Sequence, residues 1–350
     1  MRILIIGGTH FMGPYIINNL CAAGHEVSIF HRGQTRAERP ESVKEILGDR
    51  DRLREYAADL QKLEPEVVLD MVVWHERHGR DLMATFAGVA RRVVVVSSQD
   101  VYRAFGRVNR HEDGEIDPLP ITENSPLREK LYPYRGETLR AKDDPQSWMD
   151  DYDKIPAERV IMNHPELFGT ILRLPAVYGP HDPQHRMFPY LKRMLDGRET
   201  ILLEEGEASW RWTHGYVENI ADAIALAVTD KRASGRIYNA GEPFALSVAE
   251  RVKQIAQAAN WHGRIVIQPA ERVPEKLRWG INTAQNIVVD TSRIRQELGY
   301  GERIDLVEAF QRTIAWERDH FPEKIDPERF DYATEDRVLA ERFHDTSSLE

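Results

Sequence analysis

The chain has 350 residues, 41% apolar and 30% charged, enough for one large domain or two ordinary ones around a sizeable core. Acidic residues outnumber basic ones 57 to 47, and this net charge of −10 argues against a general DNA- or RNA-binding surface. A single cysteine, Cys21, excludes an internal disulfide; no apolar run approaches the ~18 residues of a membrane span, and the start does not read as a signal peptide, so a cytoplasmic protein is expected.

In chain order, "MRILIIGG" reads as a buried parallel strand and "FMGPYIINNLCAAG" as a helix that stops at Gly24. Further strands are expected in "HEVSIF", "VKEILGD", "EVVLDMVVW", "RRVVVVSS" and "GTILRLPAVYG", with helices in "DRLREYAADLQKLE" and "RDLMATFAGVAR". Strands alternating with helices imply right-handed crossovers and a doubly wound parallel sheet, an α/β fold. "VENIADAIALAVTD" is an amphipathic helix and "GRIYNAG" a strand, so residues 213–241 are expected to return to the first domain, 1–180. The helices "SVAERVKQIAQAANW" and "DLVEAFQRTIAWERDH" place a smaller lobe at 181–325. Residues 326–350 are acidic and aperiodic, and a peripheral or loosely held tail is expected there.

"GGTHFMG" joins the first strand to the first helix. Gly7 permits a tight turn, Gly13 allows close helix packing, and the helix N-terminus offers N–H groups and a positive dipole to a pyrophosphate. The cofactor-binding candidates here are Gly7, Gly8, Thr9, His10, Phe11, Met12 and Gly13; His10 stands where a middle glycine is usual. The second strand ends in His31 and Arg32 where an acid would select the ribose 2′-hydroxyl of NAD. A guanidinium suits a 2′-phosphate, so NADP is favoured, with NAD as the alternative. Asp49 in "GDRD" is placed to accept from an adenine amine.

Taken together, "GGTHFMG", "GDRD", "VVVVSSQDVY", "KIPAERV", "LRLPAVYGP", "RWTHGYVENIADAIALAV", "GRIYNAGE" and "DTSRIRQELGY" span residues 1–320. In this order and spacing the chain resembles an extended short-chain dehydrogenase/reductase of the NAD(P)-dependent epimerase/dehydratase group. "GGTHFMG" is also similar to an atypical branch that includes chloroplast stem-loop RNA-binding proteins. The resemblance implies a Rossmann domain, a small substrate lobe, a nucleotide-sugar substrate, hydride transfer at a sugar carbon and a homodimer. A non-catalytic dinucleotide- or RNA-binding protein on the same fold is the alternative.

That chemistry uses a hydroxyl, a phenol and an ammonium that lowers the phenol pKa and holds the nicotinamide ribose. Ser98 matches the hydroxyl and Lys154 the ammonium, which is also a cofactor contact. The resemblance places the phenol four residues before the lysine, where Asp150 stands; Tyr152 is two before it. Pro156 has no N–H to bond residue 152, so the helix is expected to start between 152 and 155. Tyr152 then escapes helix-face geometry and is the candidate proton-transfer group. Dehydratases carry an Asp–Glu pair where Gln99 and Asp100 stand, and Gln99 cannot protonate a leaving hydroxyl. Gln99, His181, His185 and Arg211 are expected to face substrate, Arg211 as the diphosphate clamp the resemblance implies. Pro183 between the two histidines argues against a helical metal pair, and no metal is expected.

Overall fold

The computed structural model describes residues 1–35 and 38–345. Its strands are β1 (Arg2–Ile6), β2 (Glu26–His31), β3 (Lys44–Leu47), β4 (Val67–Asp70), β5 (Arg92–Ser98), β6 (Phe168–Leu174), β7 (Ala176–Tyr178), β8 (Thr200–Glu204), β9 (His214–Tyr216), β10 (Ile237–Asn239) and β11 (Arg264–Gln268). Seven of them form one parallel sheet in the order β10-β6-β5-β4-β1-β2-β3. The order reverses between β1 and β4, which opens a crevice at the carboxyl ends of the strands.

The apolar runs are explained by burial on both faces. Along β1, Ile3 and Ile5 pack with Ile16 and Ile17 of the helix Met12–Ala22, while Leu4 and Ile6 enter the opposite layer with Leu82 and Phe86. On the first face the helix Val217–Thr229 lies beside Met12–Ala22, and Asn19 Nδ2 donates to Asp222 Oδ1 at 2.7 Å. On the second face the helix Glu76–Phe86 lies against Lys154–Met162. A Cβ on Gly79 would stand 3.1 Å from Ala157 O, so the bare glycine sets this close approach.

Two expected strands are shorter than their apolar runs. β4 stops at Asp70, whose carboxylate takes the Val72 N–H at 3.0 Å and the Arg50 guanidinium at 2.8 Å. The run "GTILRLPAVYG" breaks at Pro175, which has no N–H to donate; beyond it β7 leaves the sheet to pair with β9.

Apart from the seven-stranded sheet, β8 pairs with β11 in parallel. The helix Val248–Ala258 opens with a capping box from Ser247 and Glu250. In the acidic terminus, where a peripheral or loosely held tail is expected, the chain forms the helix Tyr332–Asp345, with Thr334, Glu335 and Val338 buried. Charge pairing explains the docking, since Glu335, Asp336 and Asp331 meet Arg193, Arg198 and Lys276. Among the described residues no helix is long and apolar enough to cross a membrane.

Candidate active site

The glycine turn sits at the crevice. Gly7 and Gly8 have φ of +90° and +86°, and a Cβ on Gly13 would stand 2.1 Å from Gly8 O. The helix that follows has Phe11 at its N-cap with no side-chain cap bond; in its first turn Gly13 N–H is bonded to His10 O at 3.0 Å and Pro14 has no N–H. Thr9, Phe11 and Met12 are half-buried and His10 is exposed along the turn. This geometry fits an anionic pyrophosphate.

At the end of β2, His31 is buried and its Nε2 lies 2.6 Å from Glu45 Oε1, while Gly33 N–H donates to its Nδ1 at 3.1 Å. Arg32 is exposed and pairs with none of the described residues. The Asp49 carboxylate accepts from Asp51 N–H at 3.0 Å and caps the 3-10 turn Arg50–Tyr56.

The helix carrying Lys154 starts at Lys154, with Asp153 as its cap. Tyr152 therefore precedes it, as Pro156 requires. Asp153 holds the segment firmly: its carboxylate takes Ile155 N–H at 2.9 Å, Tyr132 N–H at 2.6 Å and Arg128 Nη2 at 3.3 Å. Asp150, in the place the resemblance reserves for a phenol, accepts from Arg140 N–H at 2.7 Å and pairs with the Arg140 guanidinium. It anchors the loop before the helix.

The Tyr152 hydroxyl donates to Asp100 Oδ2 at 2.8 Å, and the Tyr134 hydroxyl reaches the same oxygen at 3.4 Å. Asp100 in turn donates its N–H to Ser98 Oγ at 3.2 Å, and Arg128 Nε donates to Asp100 O at 2.6 Å. Ser98, Asp100 and Tyr152 are thus one bonded cluster at the carboxyl end of β5. Asp100 Oδ1 is buried with no partner among the described residues.

Lys154 is buried at the first turn of its helix. Its Nζ donates to Val73 O at 2.6 Å and Val96 O at 3.1 Å, tying β5 to the segment after β4. It lies 5.8 Å from the Tyr152 ring centroid. Burial, reinforced by the Asp100 carboxylate, pushes the Tyr152 phenol well above its ordinary range. Desolvation and the adjacent carboxylate act in the same direction, both favouring the neutral phenol. Burial also pushes the Asp100 carboxyl up and the Lys154 ammonium down.

A cavity of about 500 Å³ is lined by Trp210, Trp212, Trp279, Arg186, Arg193 and Glu207 among others. His185 lines it too, with Nδ1 2.8 Å from Glu317 Oε2 and its ring stacked on Trp316. His181 lies beside Trp316 and outside the lining; Arg211 is also outside it, donating to Ala245 O at 2.8 Å and Glu250 Oε2 at 3.0 Å. Gln99 is buried and outside the lining, with Nε2 donating to Ala240 O at 2.9 Å. Burial pushes the Glu207 carboxyl up to about 7, and the Tyr190 hydroxyl donates to it at 2.9 Å. Sequence reasoning missed Tyr134, Glu207 and the cavity arginines. For Tyr190 and Arg193, a spacing of three on the helix Phe188–Leu195 was the available signal.

Residues 3–241 match the model of the NAD dependent epimerase/dehydratase family. The chain belongs to that family. One relative, the UDP-N-acetyl-alpha-D-glucosaminuronate decarboxylase of Bacillus cytotoxicus, is 22% identical over 344 residues, covering 91% of this chain and 98% of that protein. An uncharacterised Escherichia coli protein, YbjS, is 30% identical over 178 residues, which cover 45% of this chain and about half, 52%, of the relative's length. A solved structure of Thermus thermophilus UDP-glucose 4-epimerase in complex with NAD superposes with a TM-score of 0.63 at 19% identity, covering 91% of this chain and 99% of that one. That likeness confirms the Rossmann-type fold of the family's epimerases.

Proposed function

We propose that this protein is an NAD(P)-dependent oxidoreductase or epimerase that acts on a nucleotide sugar by hydride transfer at a sugar carbon, with NADP preferred. The observation that carries the reading is the bonded cluster of Ser98, Asp100 and Tyr152 at the carboxyl end of β5, in a sheet whose glycine turn fits a pyrophosphate. The dinucleotide, when bound, supplies the hydride acceptor or donor. Gly7, Gly8 and Gly13 cradle its pyrophosphate, with Thr9, His10, Phe11 and Met12 along the turn; Asp49 takes the adenine, and Lys154 braces the strand ends beside it. The T. thermophilus structure carries NAD, but the exposed guanidinium of Arg32, which pairs with none of the described residues, supports a 2′-phosphate here.

Ser98 orients the substrate hydroxyl. The Tyr152 phenol, held protonated at neutral pH, takes the substrate proton as it passes its own to Asp100; the reverse transfer serves reduction. Gln99, a neutral amide whose Nε2 donates to Ala240 O, is too weak an acid to protonate a leaving hydroxyl, which argues against dehydration. The aromatic and arginine lining of the cavity suits a base and a diphosphate, so the nucleotide half is assigned there, with His185 at its wall. Arg186 and Arg193 replace Arg211 as the favoured phosphate contacts.

The test is a thermal-shift screen of UDP-, GDP-, CDP- and dTDP-sugars with NADP or NAD, followed by product analysis on the ligand that shifts most. A dinucleotide-dependent shift and a sugar product altered at one carbon are expected. Binding of neither dinucleotide would overturn the reading.

A further inference from the structure

We propose that Asp51, His75 and His78 form a binding site for a divalent transition-metal ion of the zinc type, separate from the redox site. Asp51 lies in the 3-10 turn after β3, His75 caps the helix Glu76–Phe86, and His78 is in that helix's first turn. One carboxylate oxygen and two ring nitrogens lie within 4.8 Å of one another. Asp51 Oδ1 is 2.6 Å from His78 Nε2 and 4.0 Å from His75 Nε2, and the imidazole centroids are 3.7 Å apart. Donors around a tetrahedral zinc, with bonds of about 2.0–2.2 Å, stand about 3.3 Å apart, between the two separations found. The Asp51 carboxylate is exposed and free to swing toward His75, whose Nδ1 gives up the 3.4 Å bond from His78 N–H when the ring turns to the tautomer with Nε2 unprotonated.

His78 is already oriented as a ligand. Its ring is buried, and Nδ1 lies 3.1 Å from Val72 O. The tautomer that donates from Nδ1 to that carbonyl leaves the Nε2 lone pair directed at Asp51, the outer-shell arrangement of metal-bound imidazole. The other tautomer donates from Nε2 to Asp51 and accepts Trp74 N–H at 3.2 Å. Binding an ion selects the first tautomer: the ring stays neutral, its proton moves from Nε2 to Nδ1 and is donated to Val72 O, and Trp74 N–H gives up its bond to Nδ1. Arg77, 3.3 Å from Asp51 Oδ1, is the competing cation; its side chain is exposed and free to move into water. Two imidazoles with one carboxylate favour zinc, cobalt or nickel over magnesium or calcium. Open coordination positions remain for water, and the ion staples the segment after β3 to the one after β4.

The experiment uses the full chain without an affinity tag, stripped with chelator and titrated with cobalt(II), read by visible d–d absorption and by calorimetry. One equivalent is expected to bind, with zinc displacing the colour. His75→Ala and Asp51→Asn, both at partly exposed positions, should each weaken cobalt binding at least about tenfold while far-UV circular dichroism stays unchanged. A wild-type protein that develops no d–d band would overturn the site. So would stoichiometric binding that persists in both variants, or that disappears in a His181→Ala/His185→Ala double variant and not in these.

Discussion

The phenolic oxygen of Tyr152 lies 2.8 Å from Oδ2 of Asp100, both side chains are buried, and 52 residues of chain separate them. Burial first, and then this carboxylate, hold the phenol in its protonated form. Tyr152→Phe is expected to lower kcat by ~10²-fold or more, the scale of a lost general acid–base group. Asp100→Asn should lower kcat comparably and, by removing the carboxylate that raises the phenol, move the basic limb of the kcat profile to lower pH. Steady-state pH profiles of both variants check this; a Tyr152→Phe enzyme as fast as wild type would reject the relay.

Lys154→Met leaves Val73 O and Val96 O without the Nζ–H bonds that now reach them. The variant is expected to fold, to lose ~1–3 kcal/mol of stability from those stranded acceptors, and to lose turnover. Urea denaturation and activity are measured together. Full activity with reduced stability would assign Lys154 to bracing the strands alone.

Arg32→Asp is expected to reverse dinucleotide preference from NADP to NAD, because a carboxylate accepts from the ribose 2′-hydroxyl and repels a 2′-phosphate. Dissociation constants for both dinucleotides, by calorimetry, decide it. Tighter binding of NAD by the unaltered protein contradicts the preference.

Glu207 has its carboxyl raised by burial from 4.5 to about 7. Between those values the unfolded chain releases this proton while the folded protein keeps it, so stability falls as pH rises through that window and the loss is complete above it. A rise of this size corresponds to about 3 kcal/mol. Glu207→Gln keeps an acceptor for the Tyr190 hydroxyl and removes the ionisation. It should stabilise the protein toward this amount above pH 7, with the gain vanishing below pH ~4.5. Denaturation midpoints across pH are the measurement; a gain independent of pH would exclude ionisation as its cause.

Local chemistry determined much of the architecture by itself. Strands buried on both faces must be apolar throughout, so β1 and β5 are visible as runs such as "RILII" and "RRVVVV". The turn at Gly7 and Gly13 and the late start of the Lys154 helix follow from backbone sterics that a glycine or a proline imposes on its neighbours. Tertiary structure decided where the polar side chains went. The apolar run through Trp74 gave no sign that β4 would end at Asp70, since the partner that fixes that end is Arg50, 20 residues earlier. The docking of the terminal helix rests on Arg193 and Glu335, 142 residues apart. Periodicity records which side of a segment is dry, whereas hydrogen bonds and ion pairs between distant segments form only when packing brings them together. For that reason the glycine turn was legible in the sequence, while the Tyr152–Asp100 bond and the walls of the cavity belong to the folded molecule.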